Sequence, residues 1–261
     1  MNDKIFVDTH AHLQWASFDN DRKNVLERAK EKRVTRIVNI GFDIDGCLKG
    51  VKLAETHKGL YATVGIHPHS ANTLNKKIVD KLRELATNPK VVAIGEIGLD
   101  YYRNLSPKEV QKQAFETQLA LAEELKLPVV IHDREAHDDI LQALSRFKGK
   151  NKGIMHCFSG NKEMAQQCID LGFKISFNGT ITYPKNHELR EIAKRIDLKN
   201  MLLETDCPFL APQEVRGKRN EPSFLPMIAQ EIATLKRMSV DDLAEITTRN
   251  AEELLKLGTT S

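Results

Sequence analysis

Eight short apolar, β-rich runs recur along the 261-residue chain with segments of helical period between them. This alternation limits the fold more than any other feature. The runs cover residues 5–7, 36–40, 60–65, 91–97, 128–131, 153–155, 173–177 and 201–203. Between them, residues 19–33 put Val25, Leu26 and Ala29 on one face and charges elsewhere. Residues 108–125 repeat Phe115, Leu119, Ala122 and Leu125, and residues 139–147 carry Ile140, Leu141, Leu144 and Phe147. Residues 222–236 and 240–257 read as closing helices. A strand followed by a helix, eight times over, predicts an α/β chain with a single (β/α)8 TIM barrel spanning residues 1–261. A doubly wound open sheet is the alternative. It calls for a Gly-rich phosphate loop at its first turn, and none is present. No Pro/Gly/Ser linker divides the chain.

Six of the runs end in, or lead into, polar motifs. These are Asp8-Thr9-His10-Ala11-His12, Gly65-Ile66-His67, Gly95-Glu96-Ile97-Gly98-Leu99-Asp100, Val130-Ile131-His132, Met155-His156-Cys157 and Leu203-Glu204-Thr205-Asp206. Metal-binding side chains are costly at the end of a buried strand unless something pairs them. One such ending is noise; a series of them along one chain predicts convergence on a shared site. In a (β/α)8 barrel that site lies at the C-terminal ends of the strands. His10 and His12 are two apart, so on an extended strand both rings point the same way, and Asp8 shares that parity as a partner behind them. With Glu96, His132, His156 and Asp206 at four more strand ends, the pattern reads as a metal centre.

Imidazole and carboxylate donors suit Zn²⁺ or Mn²⁺, and the carboxylate-rich parts accept Mg²⁺. The residue types suggest two divalent ions. Four neutral histidines and two carboxylates carry a formal −2, so two such ions leave the site at about +2. This resolves a tension in the composition. The net charge is only +3, too balanced for a protein that coats nucleic acid by bulk charge, so an anionic substrate must be attracted locally. Two ions roughly 3.5–4 Å apart can clamp the attacking and leaving oxygens of a phosphodiester and lower the pKa of bound water to about 7. Cys47, Cys157, Cys168 and Cys207 are scattered with no C-x-x-C pair, and the first residues have no secretory h-region. The expectation is reduced thiols in a cytoplasmic protein. No apolar stretch approaches the ~20 residues of a membrane span.

These motifs resemble the TatD-type metal-dependent deoxyribonucleases of the amidohydrolase superfamily. The likeness runs through DTHAHL, GIHPH, GEIGLDYYR, LPVVIHDRE, HCFSG, LLETDCPFLAP, RGKRNEP and TTRNAEELL, essentially the whole chain, with no departure at a motif position. The resemblance implies that His10, His12, Glu96 and Asp206 hold one ion. It also implies that Glu96 bridges to a second ion held by His132 and His156. Hydrolysis of DNA phosphodiester bonds is implied too, as a 3′→5′ exonuclease acting on single-stranded ends, with no obligate protein partner. Asp206 is the candidate to position the attacking water or take its proton, and Glu204 to orient the water or a ligand. The rival enzyme reading is an amidohydrolase or esterase acting on another substrate such as aminoacyl-tRNA, since such sites polarise carbonyls equally well. A metal-binding scaffold without turnover is the rival from another class.

Other residues have competing readings. His67 is a phosphate contact or a loop-stabilising histidine, and His69 reads as surface. Arg216 and Arg219, in a basic loop after the last strand, suit bidentate phosphate contacts or form a solvated loop, and Arg134, two residues past His132, suits the same contacts or a pair with an acid such as Glu135. Tyr101 and Tyr102 offer faces for base stacking, or cover the mouth of the barrel. His57, His137 and His187 read as surface residues. Trp15 is a lone loop aromatic.

Overall fold

A computed structural model describes residues 4–258. Among these residues lie eight strands: β1 (Phe6–Ala11), β2 (Val34–Asn39), β3 (Leu60–Val64), β4 (Val91–Asp100), β5 (Val129–Arg134), β6 (Gly153–Met155), β7 (Phe173–Phe177) and β8 (Met201–Leu203). They form one sheet in sequence order, with parallel neighbours. Helices intervene: α1 (Arg22–Glu31), α2 (Ile44–Thr56), α3 (Lys76–Leu85), α4 (Lys108–Leu125), α5 (His137–Arg146), α6 (Lys162–Asp170), α7 (His187–Arg195), α8 (Leu225–Lys236) and α9 (Val240–Leu255). Parallel strands in chain order, alternating with helices, are the (β/α)8 barrel fold that the alternation predicted.

Three strands run further than their apolar runs. β1 continues to Ala11, β4 to Asp100 and β5 to Arg134. An apolar run ends where polar residues take over, but the backbone ladder does not. All ten residues of β4 are buried, Glu96 and Asp100 included. Asp8 and His10 therefore lie within a strand and not after one.

The chain divides by packing into two compact units, residues up to 39 with 176 onward, and residues 40–175. In the first, β1 pairs with β2 and bridges through Ala11 to Cys207, beyond β8. Helix α9 packs on β1 and β8. Its side chains satisfy backbone carbonyls at their ends: Thr248 Oγ1 donates to Ile5 O (2.8 Å). Asn250 Nδ2 donates to Leu198 O and Met201 O (2.7 and 2.9 Å). The buried Arg36 of β2 pairs with Glu252 of α9.

In the second unit, α4 packs on β4, and two of its buried glutamines act as clamps. Ile66 N donates to Gln118 Oε1 (2.7 Å), and Gln118 Nε2 donates back to Ile66 O (3.0 Å). Asp100 N donates to Gln111 Oε1 (2.8 Å), and Gln111 Nε2 donates to Asp100 O (3.1 Å). The two residues are seven apart, two turns on one helix face. Each amide mimics a strand neighbour where the ladder runs out, which fixes the ends of β3 and β4.

Candidate metal centre

In the first unit β1 delivers His10, His12 follows directly after it, and the turn after β8 delivers Asp206. His10 Nε2 and His12 Nε2 stand 3.2 Å apart. Asp206 Oδ1 lies 3.7 Å from the former and 3.5 Å from the latter. Donors about 2.1 Å from a tetrahedral ion stand about 3.4 Å from one another, so these three atoms have the spacing of a metal-ligand set. Asp206 sits at φ +57°, a left-handed conformation that Asp tolerates better than most residues. Its N–H donates to His10 O (2.8 Å), which ties the turn to the end of β1.

Asp8 is buried, but its carboxylate does not meet an imidazole. Oδ1 accepts from His10 N (3.2 Å) and Thr205 N (2.9 Å), and Oδ2 accepts from Thr205 Oγ1 (2.6 Å). It thus links β1 to the segment bearing Asp206. Burial pushes its pKa up to about 7 against those hydrogen bonds, and the charge of Glu204 adds to the rise. Glu204 itself is fully buried. Asn220 holds the same segment from the other side, its Nδ2 donating to Thr205 O (2.8 Å) and Phe209 O (2.6 Å).

In the second unit Glu96 Oε1 is the focus. His132 Nδ1 lies 2.7 Å from it, His67 Nε2 3.6 Å and His156 Nε2 3.7 Å. The other nitrogen of His132, Nε2, donates to Asp100 Oδ2 (3.1 Å), and His69 Nε2 donates to the same oxygen (2.8 Å). Burial opposes a charge on His132, but the hydrogen bonds to Asp100 and Glu96 outweigh it and raise its pKa to about 9. Burial likewise disfavours the Asp100 carboxylate. The bonds from His132, His69 and Arg103 N reverse this and hold it well below the usual range. With Nε2–H fixed on Asp100, Nδ1 is the nitrogen His132 can turn to an ion once it loses a proton.

His67 differs. Its Nδ1 accepts from His69 N (3.1 Å), and burial holds its pKa well below the ordinary value. A neutral ring accepting at Nδ1 carries its proton on Nε2, which makes Nε2–H a donor and not a lone pair. His69 is half-buried, not a surface residue.

Asp100 and His69 are the residues that motif reading missed as parts of the centre. A signal existed for Asp100: Glu96, Gly98 and Asp100 share parity along one strand. Gly98, between the two acids in sequence, lets β4 lie close against β5. It has φ +144°, and a Cβ there would stand 1.9 Å from His132 O.

The arginines have different surroundings. Arg219 holds both carboxylate oxygens of Asp21 (2.9 and 2.6 Å) and lies over the Phe18 ring. Arg216 is exposed, its guanidinium 4.6 Å from the centre of the Tyr183 ring. Arg134 is exposed and stacks on Tyr102 at 4.5 Å. Tyr101 turns aside, donating to Asp139 Oδ2 (2.6 Å) under Lys108.

The family described as TatD related DNase matches residues 7–256. The chain belongs to this family. The TatD-family chain is 43% identical over 254 residues to YabD of Bacillus subtilis, an uncharacterized metal-dependent hydrolase, covering 97% of this chain and all of that one. It is 38% identical over 257 residues to the 3′-5′ ssDNA/RNA exonuclease TatD of Pantoea vagans, covering 96% and 99%. Among solved structures, the TatD homologue YJJV of Escherichia coli superposes with TM-score 0.92 at 31% identity, covering 97% and 98%. A dihydroorotase shares the fold alone, at 15% identity and TM-score 0.66, covering 97% of this chain and 72% of that one. The TatD-family chain is thus a hydrolase. No helix among its described residues is long and apolar enough to cross a membrane.

Proposed function

We propose that this enzyme hydrolyses DNA phosphodiester bonds from the 3′ end, preferring single-stranded ends. It would use two divalent ions, one at His10, His12 and Asp206, the other at Glu96, His132 and His156, with Glu96 shared as the family resemblance implies. The observation that carries this reading is the spacing of donor atoms within each set, 3.2–3.7 Å in the first and 2.7–3.7 Å around Glu96 Oε1 in the second. Imidazole with carboxylate favours Mn²⁺ or Zn²⁺, and Mg²⁺ remains a candidate. When bound, such ions supply Lewis acidity toward the phosphoryl oxygens and activate water. The curated TatD relative, named for single-stranded DNA and RNA, supports the substrate class.

The roles of the side chains follow from their exposure. Asp206 keeps an edge open to solvent, 11% of its side chain, and accepts the proton of the attacking water. Glu204, fully buried, orients from behind. His67 presents Nε2–H to a phosphate oxygen. Arg134 and Arg216, exposed and stacked on tyrosines, receive further phosphates. Arg219 remains a candidate only if substrate draws it from Asp21. Scattered free cysteines support a reducing, cytoplasmic setting.

The test is to strip metal and restore Mg²⁺, Mn²⁺ or Zn²⁺ singly, on 3′-labelled and 5′-labelled single- and double-stranded DNA. Metal-dependent release of 3′-terminal mononucleotides, faster from single strands, is expected. Release of free amino acid from aminoacyl-tRNA with DNA left intact would overturn the reading.

A further inference from the structure

Two exposed aromatics stand beside the first ligand set, and nothing in the proposed hydrolysis uses them. Trp15 is 39% exposed and Phe209 44%. Their rings meet edge to face, 5.3 Å between centroids at 88°, and Phe209 also approaches the His12 ring at 6.2 Å. Each grows from a ligand by the same device. Trp15 N donates to His12 O (3.1 Å), and Phe209 N donates to Asp206 O (2.9 Å). Two turns that begin at metal-ligand residues therefore each end, three residues on, in an aromatic ring.

The backbones beneath are pinned. Leu13 N donates to the buried Asn39 Oδ1 (2.7 Å), and Asn220 Nδ2 donates to Phe209 O (2.6 Å). Two large apolar rings held in solvent over backbones that buried side-chain amides pin in place are poorly explained by packing, which would turn them inward.

We propose that Trp15 and Phe209 form a stacking subsite for one unpaired nucleobase, next to the phosphate bound at His10, His12 and Asp206. This rests on the nuclease reading and adds to it a source of preference for single strands. A base inside a duplex has both faces occupied, and a terminal one is still held by its paired partner, whereas an unpaired base can turn a face to the rings. Stacking on an aromatic ring is indifferent to base identity, since every base has a π face, so the subsite confers no sequence preference.

Trp15 is the chain's single tryptophan, so its fluorescence reports the subsite directly. The metal-loaded protein is titrated with a phosphorothioate oligothymidylate, which resists hydrolysis, and with the same backbone made abasic at its 3′-terminal positions. The expected result is saturable quenching by the first, and about tenfold weaker binding of the second, the order of one stacked base. Binding seen by anisotropy of a labelled oligonucleotide without quenching overturns the proposal, as does equal binding of the two probes. A second measurement uses Trp15→Leu and Phe209→Leu on hydrolysable single strands. About a tenfold rise in KM with kcat little changed supports the subsite, and a fall in kcat at constant KM overturns it. Hydrolysis of bis(p-nitrophenyl) phosphate by the wild type, a diester without bases, tests the metal chemistry separately. Its absence, together with inactivity on DNA, would sink the nuclease reading while the quenching result still decides the subsite.

Discussion

His132 touches a carboxylate with each of its ring nitrogens, Glu96 at Nδ1 and Asp100 at Nε2, and both contacts ask for a proton. The metal-free ring is therefore held as an imidazolium with a pKa near 9, and an ion at Nδ1, as proposed, would displace that proton. Metal titration of the apoprotein at pH 8 should release protons, seen as a dependence of calorimetric heat on buffer ionisation enthalpy. The sign for stability follows. The pKa is raised on folding, so the stabilisation from His132 is fully present below its ordinary value near 6.5. It is lost as pH rises through about 9. The melting temperature of the metal-free protein should fall over that window, and that of the metal-loaded protein should not show the same loss.

Glu96→Ala removes the focus of the second set and should abolish bound metal and activity together while circular dichroism stays unchanged; full occupancy by elemental analysis would contradict a shared ligand. Asp100→Asn keeps the size of the side chain but loses its charge, and should weaken metal affinity by about 10–100-fold.

At the scale of elements, the strand ends are held by side chains from neighbouring elements. Gln111 and Gln118 fasten the ends of β4 and β3 from α4, and Asn250 fastens Met201, the first residue of β8, from α9. Asn250 belongs to the closing TTRNAEELL motif, and its work is structural. Asn250→Ala strands two carbonyls and should cost about 1–3 kcal/mol in chemical denaturation, with metal content per folded molecule unchanged. Gly98→Ala differs, because the new methyl would meet the backbone of β5 at the residue bearing His132. It should cost about 1–3 kcal/mol from overpacking and also lower metal occupancy. A destabilised variant with full occupancy would separate the packing of β4 from the placing of the ligand.

For the whole molecule, a net charge of +3 leaves little long-range attraction for DNA, so salt dependence should come from a few local contacts. Arg216→Ala should reduce the slope of log affinity against log salt by ~0.7 on single strands, with metal content unchanged. Arg219→Ala breaks a two-pronged pair to Asp21 and should act mainly on stability. An equal loss of salt slope in both variants would show that substrate pulls Arg219 from that pair.

The alternation of apolar runs and helical segments was enough to determine the fold class, because a parallel strand buried on both faces leaves an unmistakable run of β-branched residues. Parity along an extended strand was enough to pair His10 with His12. What the linear order does not contain is which distant residue each side chain meets. His69 looked like surface, and Trp15 like a lone aromatic, because their partners, Asp100 and Phe209, are 31 and 194 residues away. The same holds for Asp8, whose parity suggested an imidazole partner and whose carboxylate instead reaches Thr205, 197 residues on. Strand periodicity is a local property and is written in the sequence. Which side chains meet is set by closure of the chain over long separations, and only the tertiary structure decides it.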